Sequence, residues 1–141
     1  MRINKVSFTD KTIDQYNKII DVRTPLEYKE DHIPGSSNYA VLTNKQRHEI
    51  GIKYKENSFL AKKIGAQLIS QNIAKILGKI TFDKKDTILI YCWRGGLRSL
   101  SLYLVLKQIG YDVYLLDGGY KAYRRNVVNY LEVIAPKFRY N

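Results

Sequence analysis

The chain has 141 residues, 45% of them hydrophobic, and a formal net charge of +11, so we expect one domain over residues 1–141 with its own core. It lacks the roughly 18 consecutive apolar residues of a membrane span and the apolar start of a signal peptide, which favours a cytoplasmic protein without a membrane partner. The positive charge favours a nucleic-acid partner. The single cysteine, Cys92, excludes an internal disulfide, and the histidines show no metal-ligand spacing, so we expect neither a metal nor a bound cofactor.

The first third of the chain shows strand and helix signals in close succession. Residues before 18 predict only a first strand or turn. The run KIIDVR over residues 18–23 predicts a buried strand that delivers Asp21 and Arg23 to the edge of a site. The following Thr24-Pro25-Leu26-Glu27 has the pattern of a capping box with proline at the first helical position, so a short helix is expected to about residue 31.

The middle third is predicted to be mainly helical. His32 is a candidate catalytic group, but a histidine before Ile-Pro-Gly more often fixes a turn by hydrogen bonds, and we expect that role. Residues 37–42 predict a strand or extended segment. Residues 44–56 are polar and basic and predict a helix at their start; the default expectation is a solvated face, although four side chains can contact phosphate: Arg47, Lys53, Tyr54 and Lys55. An apolar helical period then begins at Ser58, and Gly78 is expected to end that helix.

The stretch Thr87–Leu106 carries the strongest signal for chemistry. A β-branched apolar run ends at Cys92, a glycine-containing loop follows, and a helix pattern led by Ser99 begins. Glycines let successive backbone N–H groups point inward at an anion, and the helix adds the positive end of its dipole. That field favours the nucleophilic thiolate of Cys92. The forked guanidinium of Arg98 is expected to bind two oxygens of a tetrahedral oxyanion, and Ser99 to hydrogen-bond the thiolate or the leaving group.

The last part of the chain predicts a strand over residues 111–116, a tight turn at Asp117-Gly118-Gly119, and a helix from about Tyr120. Cations in the opening turns of this helix oppose its dipole, so we expect Lys121, Arg124 and Arg125 to face a ligand. Alternating strands and helices indicate an α/β domain with a mainly parallel central sheet flanked by helices on both faces. In such a sheet the site lies at the carboxyl ends of the strands.

The loop alone leaves several functions open, because cysteine phosphatases and rhodanese-type domains both place Arg and Ser after a cysteine at this spacing. A phosphatase needs a general acid, and Asp112 or Asp117 could serve, although nothing marks either. An arsenate reductase commonly uses further cysteines, which this chain lacks. A non-enzymatic docking module is the third class, but a pure binding domain has no need of a cysteine inside an anion-binding loop.

Motifs along nearly the whole chain resemble a known family. Four features are similar to a rhodanese domain: the motifs DVRTPLEY and DHIPGS, the strand-end cysteine loop and the Gly-Gly turn. Three further segments resemble the rhodanese domain of tRNA 2-selenouridine synthase, and they read CWRGGLRS, GGYKAYR and RHEIGIKYK. The resemblance implies an enzyme that replaces the sulfur of wobble 2-thiouridine in tRNA with selenium from the co-substrate selenophosphate, by way of an S-geranylated intermediate.

The resemblance also assigns roles to residues. Cys92 would be the essential thiol. Asp21, Arg23 and His32 are expected, from their own places in the sequence, to support the site. The selenophosphate-binding residues would be Trp93, Arg94, Gly95, Gly96, Leu97, Arg98 and Ser99. The residues facing tRNA or a partner domain would be Gly118, Gly119, Tyr120, Lys121 and Arg124.

The family's usual chain continues into a P-loop domain, yet no P-loop pattern occurs in these 141 residues. The resemblance therefore implies a P-loop domain or subunit as a partner. The chain is then either a truncated piece of the longer protein or one subunit of a split enzyme, and the start at Met1 without a tag favours the split. The close alternative is a general persulfide or thiosulfate sulfurtransferase, for which the same thiolate and loop would serve.

Overall fold

Five parallel strands form the sheet of the computed structural model, which describes residues 2–9 and 13–139, with side chains through residue 129. Their order across the sheet is β1-β5-β4-β2-β3, and each described pairing is parallel. The predicted α/β class with a parallel sheet is therefore confirmed. Part of the region predicted as a first strand or turn, residues 1 and 10–12, lies outside the described residues, as do residues 140 and 141. The strands are β1 Lys5–Val6, β2 Lys18–Asp21, β3 Ser36–Asn38, β4 Thr87–Tyr91 and β5 Asp112–Leu116.

Helices cover both faces of the sheet, as predicted. One core cluster joins the sheet residues Ile20, Ile88 and Val113 to Ile73 and Leu102 from two helices. A second cluster on the other face joins sheet residues such as Leu89 and Leu116 to Ile33 and Tyr120. Burial of both faces explains why β4 reads as a continuous apolar run rather than an alternating one. The helices are α1 Pro25–Glu30, α2 Asn44–Glu56, α3 Ser58–Lys79, α4 Leu97–Ile109 and α5 Gly119–Arg139, with a short 3-10 turn at Ile13–Gln15.

Local caps explain where the predicted helices agree with the structure and where they differ. The capping box of α1 is present, because Thr24 and Glu27 exchange hydrogen bonds between side chain and backbone. A second capping box begins α2 at Thr43, and that helix continues through Glu56 rather than only at its start. The prediction that Gly78 ends α3 is wrong, since the helix runs through it to Lys79 and the Ile80 N–H caps the Ile76 carbonyl.

The segment predicted as a strand over residues 37–42 pairs regularly only as far as Asn38. Beyond that point the chain keeps single backbone hydrogen bonds to the end of β2, from Tyr39 N–H to Asp21 O (2.9 Å) and from Val41 N–H to Val22 O (3.2 Å). Helix α4 begins at Leu97, ahead of the predicted Ser99, because Gly96 is its N-cap. The described part of the chain contains no helix with the length and apolar character needed to cross a membrane.

Candidate functional site

The loop after β4 holds Cys92 against the amino terminus of α4. Gly95 has a positive φ of 77°, a backbone conformation that favours glycine. Gly96 caps α4 without a side-chain hydrogen bond, and the first N–H groups of a helix have no partner within the helix. The loop therefore leaves backbone donors and the positive end of the α4 dipole close to the cysteine.

Two polar groups contact the Cys92 sulfur directly. The Gly96 N–H donates to Cys92 Sγ at 3.1 Å, and Ser99 Oγ lies 3.1 Å from the same sulfur. Ser99 Oγ also lies 3.1 Å from the Gly96 carbonyl oxygen. The Gly96 N–H is thus aimed at the reacting atom of the cysteine. The arrangement therefore suits a sulfur nucleophile, although Cys92 is only 2% exposed.

A cavity of about 530 Å³ opens beside this sulfur. We refer to it as the Cys92 cavity. Among the described residues that line it there are three arginines and no acidic side chain, so it suits a small anion. The lining residues are Arg47, Cys92, Trp93, Arg94, Gly96, Leu97 and Arg98.

Arg98 lines the Cys92 cavity but is shared with a carboxylate. Its Nη1 donates to Glu27 Oε1 at 3.0 Å, in a contact whose two side chains are only 10% and 29% exposed. The sequence interpretation expects both arms of this guanidinium to serve the anion. In the structure one guanidinium nitrogen is instead bonded to Glu27. The two residues are 71 positions apart in the chain, so no local sequence pattern indicates their contact.

Arg47 reaches the Cys92 cavity from α2. Its side chain makes no salt bridge or hydrogen bond with the described residues and is exposed, so it is available to a ligand. Partial desolvation and the neighbouring Arg98 lower the pKa of Arg47, yet an arginine remains charged at neutral pH. The sequence pattern favours a solvated face for this helix and does not identify Arg47 as a principal site residue.

Asp21 and Arg23 form a buried ion pair at the end of β2. Arg23 Nη2 lies 2.8 Å from Asp21 Oδ2, and the same nitrogen donates to the Asp31 carbonyl oxygen at 2.7 Å. The guanidinium carbon lies 4.1 Å from the centroid of the Tyr120 ring. These contacts bring β2, the end of α1 and α5 together beside the cysteine loop, and the supporting role of Asp21 and Arg23 stays a prediction.

The Gly118-Gly119 turn packs its backbone against the cysteine loop. The Tyr120 N–H donates to the Cys92 carbonyl at 2.7 Å, and the Lys121 N–H donates to the Trp93 carbonyl at 2.9 Å. A Cβ on Gly119 would lie 2.4 Å from the Cys92 carbonyl oxygen. Gly119 and Tyr120 are buried, and their backbone contacts position the loop, while their role toward tRNA or a partner stays a prediction.

The remaining predicted residues lie around the rim. Lys121 and Arg124 are exposed at the start of α5, where a macromolecule can reach them. The His32 ring stacks on Tyr28 with centroids 3.7 Å apart, and its Nδ1 lies 2.7 Å from the Tyr28 carbonyl oxygen. These are the contacts that a turn-fixing histidine requires. Within the described residues, no group of three or more His, Cys, Asp and Glu side chains is placed to hold a metal ion.

Comparison with known proteins gives a consistent set of relatives. A tRNA 2-selenouridine synthase of Psychromonas ingrahamii is 35% identical over 122 residues, which are 84% of this chain and 33% of that protein. A protein of the same name from Hydrogenovibrio crunogenus is 32% identical over 85% of this chain and 34% of its own length. The chain thus spans about a third of the length of these curated relatives.

Solved structures show the same fold. The N-terminal domain of a Clostridium difficile 630 protein described as ATP/GTP-binding matches with a TM-score of 0.74 and 35% identity, covering 89% of this chain and 98% of that one. The human single-domain sulfurtransferase TSTD1 shares the fold at 16% identity, with a TM-score of 0.53 over 88% of this chain and 97% of that one. The family description "Rhodanese-like domain" matches residues 7–126. The chain therefore belongs to the rhodanese-like domain family, and its relatives include the corresponding segment of proteins named tRNA 2-selenouridine synthase.

Proposed function

We propose that this chain is the rhodanese segment of a tRNA 2-selenouridine synthase and that Cys92 is its reacting thiolate. The observation that carries the proposal is the Cys92 sulfur, which receives the Gly96 N–H at 3.1 Å beside a cavity lined by three arginines. The names of the relatives point to a uridine of tRNA as the substrate. The motif resemblance adds 2-thiouridine as its starting form and selenophosphate as the donor of selenium.

The Cys92 cavity has the features that a tetrahedral oxyanion requires. Arg47 and Arg94 offer charged donors without an ion pair among the described residues, and Arg98 adds a third guanidinium. Charge-assisted hydrogen bonds of this kind are stronger than neutral ones. We therefore assign the selenophosphate to this cavity, with the loop of Gly95 and Gly96 beneath it.

The overall exchange needs no redox partner. Selenium replaces the sulfur bonded to C2 of the base at the same oxidation level, and that sulfur leaves as hydrosulfide or, from the S-geranylated form, as the geranyl thiolate. The phosphorus–selenium bond of the donor breaks, and water supplies the fourth oxygen of the released orthophosphate. The Cys92 thiolate bonds to the phosphorus of the donor, and hydroselenide leaves with the electron pair of the phosphorus–selenium bond and attacks C2 of the base. Water then hydrolyses the phosphorus–sulfur bond of the cysteine adduct, which releases orthophosphate and restores the thiolate.

The other parts of the complete enzyme belong to the proposal as well. Because the chain spans about a third of its relatives, and because one similar domain comes from a protein described as ATP/GTP-binding, we assign a P-loop domain or subunit as its partner. The net charge of +11 supports binding to tRNA in the cytoplasm through phosphate contacts. Lys121 and Arg124 are the rim residues for that contact.

A general sulfurtransferase is the second candidate, because the same cavity suits thiosulfate. In that reaction Cys92 Sγ bonds to the outer sulfur of thiosulfate, the sulfur–sulfur bond breaks, and sulfite leaves with the bonding electron pair. An acceptor nucleophile then takes the terminal sulfur and restores the thiolate. A phosphatase is disfavoured because no acidic residue appears among the described residues lining the cavity, where a leaving oxygen needs its proton.

The direct test combines this chain with the P-loop domain, tRNA containing 2-thiouridine, and selenophosphate, and measures 2-selenouridine in the digested tRNA. The wild-type protein is expected to form it and Cys92→Ala to form none, while both bind tRNA with the same affinity. Formation of 2-selenouridine by Cys92→Ala at the wild-type rate would exclude the proposed role of the thiolate.

A further inference from the structure

A second cavity, of about 370 Å³, adjoins the Cys92 cavity, and the role assigned to Cys92 does not use it. We refer to it as the Trp93 cavity. The two cavities share Trp93 and Arg47 in their walls. A ligand in the Trp93 cavity therefore lies next to the place where the donor anion would react.

Aromatic rings form one wall of the Trp93 cavity. The Trp93 ring packs against Tyr120 with centroids 5.6 Å apart, and Tyr120 packs against Tyr123 at 5.8 Å. Arg23 supports the Tyr120 ring at 4.1 Å, and the Tyr120 hydroxyl donates to the Asp31 carboxylate. Trp93 is thus held in place from behind while it remains partly exposed to the cavity. Rigid aromatic side chains of this kind are the usual stacking surface for an unstacked nucleobase.

Three of the charged side chains that line the Trp93 cavity are unpaired. Glu30, Arg47 and Arg124 are exposed, and none makes a salt bridge or a side-chain hydrogen bond within the part of the chain that the structure describes. By contrast, Glu27 is held by Arg98 and Asp31 by Tyr120. Glu30 is therefore a free acceptor, and the two arginines are free donors.

These features match the edge of a uracil-type base. Such a ring has one N–H donor, at N3, between two acceptor-bearing carbons, and the exchanged atom sits on C2 beside that N–H. A carboxylate accepts from N3–H, while guanidinium groups donate to the ring acceptors or to the nucleotide's phosphate. The mixture of one free carboxylate and two free arginines thus suits a pyrimidine nucleotide better than a simple anion.

We propose that the Trp93 cavity binds the pyrimidine ring of the substrate nucleotide, stacked on Trp93 with its N3–H toward Glu30. This inference rests on the proposed function, since it identifies where the base of that reaction sits. Base recognition outside a helix is how enzymes reach a reacting atom of a nucleobase. The shared walls then bring C2 of the ring toward the donor in the Cys92 cavity.

Trp93 is the single tryptophan of the chain, so its fluorescence reports on this cavity directly. Titration with uridine 5′-monophosphate is expected to quench the fluorescence to saturation, whereas ribose 5-phosphate, which has no base, leaves it unchanged. Cytidine 5′-monophosphate, which lacks an N3–H, is expected to bind roughly tenfold more weakly, the effect of losing a hydrogen bond to a charged group.

Glu30→Gln is the informative variant, because its amide serves either pyrimidine and removes the preference for uridine over cytidine. Glu56→Gln is the matched control: Glu56 is an exposed glutamate that lines neither cavity and pairs with Lys53, so this variant should keep the preference. Equal quenching by ribose 5-phosphate, or an unchanged preference in Glu30→Gln, would overturn the proposal. The fluorescence measurement involves no selenium transfer. If uridine 5′-monophosphate quenches the fluorescence of a protein that is inactive with selenophosphate, only the proposed function is rejected and the base-binding cavity stands.

Discussion

Arg98 Nη1 lies 3.0 Å from Glu27 Oε1, and this contact joins the capping box of α1 to the first turn of the helix that follows the cysteine loop. Glu27 therefore has two tasks, since the same carboxylate accepts from the Thr24 N–H at 3.2 Å. Burial of Glu27 opposes its charge, but the hydrogen bonds and charge of Arg98, together with Thr24, hold its pKa below the ordinary value. The position of Arg98 in the site therefore depends on α1 being folded.

The low pKa of Glu27 predicts a specific pH dependence of stability. A carboxylate whose pKa is lower in the folded than in the unfolded state stabilises the fold above its unfolded pKa, about 4.3, and loses that contribution as the pH falls through the folded value. Glu27→Gln should therefore cost about 1 kcal/mol at neutral pH and progressively less below pH of about 4. Denaturant unfolding of both proteins across this range measures it. A difference that stays constant down to the lowest pH would contradict the ion pair.

Gly119 is predicted to be intolerant of any side chain. Its φ of 58° is left-handed, and a Cβ would lie 2.4 Å from the Cys92 carbonyl oxygen and 2.8 Å from the Gly95 nitrogen. Gly119→Ala should therefore cost about 1–3 kcal/mol and reduce transfer by at least roughly tenfold, because it displaces the cysteine loop.

Gly78→Ala is the control for this substitution. Gly78 lies within α3, and a Cβ added there would meet no atom within 4 Å, so alanine should leave transfer unchanged and stabilise the helix by up to about 1 kcal/mol. The measurements are the thermal unfolding and the transfer rate of each of the two variants. Similar behaviour of both would show that the Gly-Gly turn does not position the loop.

Arg47 is predicted to bind the donor anion. Arg47→Ala should raise the KM for the donor roughly tenfold, the effect expected from one charge-assisted hydrogen bond, and weaken the salt dependence of KM. Arg125→Ala removes the same charge from an exposed position that lines neither cavity. If both variants raise KM equally, the effect of Arg47 is that of overall charge and not of a contact in the cavity.

Ser99 is predicted to assist the sulfur of Cys92. Loss of its hydroxyl, 3.1 Å from Sγ, should slow alkylation of Cys92 at neutral pH about fivefold, corresponding to roughly 1 kcal/mol. Ser101→Ala provides the comparison, since the Ser101 hydroxyl donates to the Leu97 carbonyl at 2.6 Å instead of contacting the cysteine. An alkylation rate in Ser99→Ala equal to that in Ser101→Ala would rule out the contact as a contributor to reactivity.

Local sequence signals predict the elements that position the cysteine. The capping box at Thr24 and Glu27 depends on residues three positions apart, and the strand before Cys92 depends on a continuous apolar run, so neither needs knowledge of the fold. Both are present. The predicted end of α3 at Gly78 is wrong because Gly78 does not adopt the left-handed φ of a glycine cap, and the helix continues to Lys79.

Contacts between distant parts of the chain could not be predicted in the same way. Two such contacts depend on how β4, α1 and α5 meet at one end of the sheet. They are the pairing of Arg98 with Glu27 and the packing of Gly119 on the Cys92 carbonyl. Arg47 illustrates the same point, because the sequence of its helix is mostly polar and only the tertiary structure brings this one arginine to the Cys92 cavity.

The most direct test of the account is the intact mass of the purified chain after incubation with selenophosphate and, separately, with thiosulfate. The proposal predicts a covalent adduct derived from the donor on the wild-type protein and none on Cys92→Ala, which has no cysteine. A phosphoryl adduct from selenophosphate supports the selenium-transfer function, and a sulfur adduct from thiosulfate alone favours the general sulfurtransferase. The same adduct on Cys92→Ala, or no adduct from either donor, would contradict the assignment of Cys92 as the nucleophile.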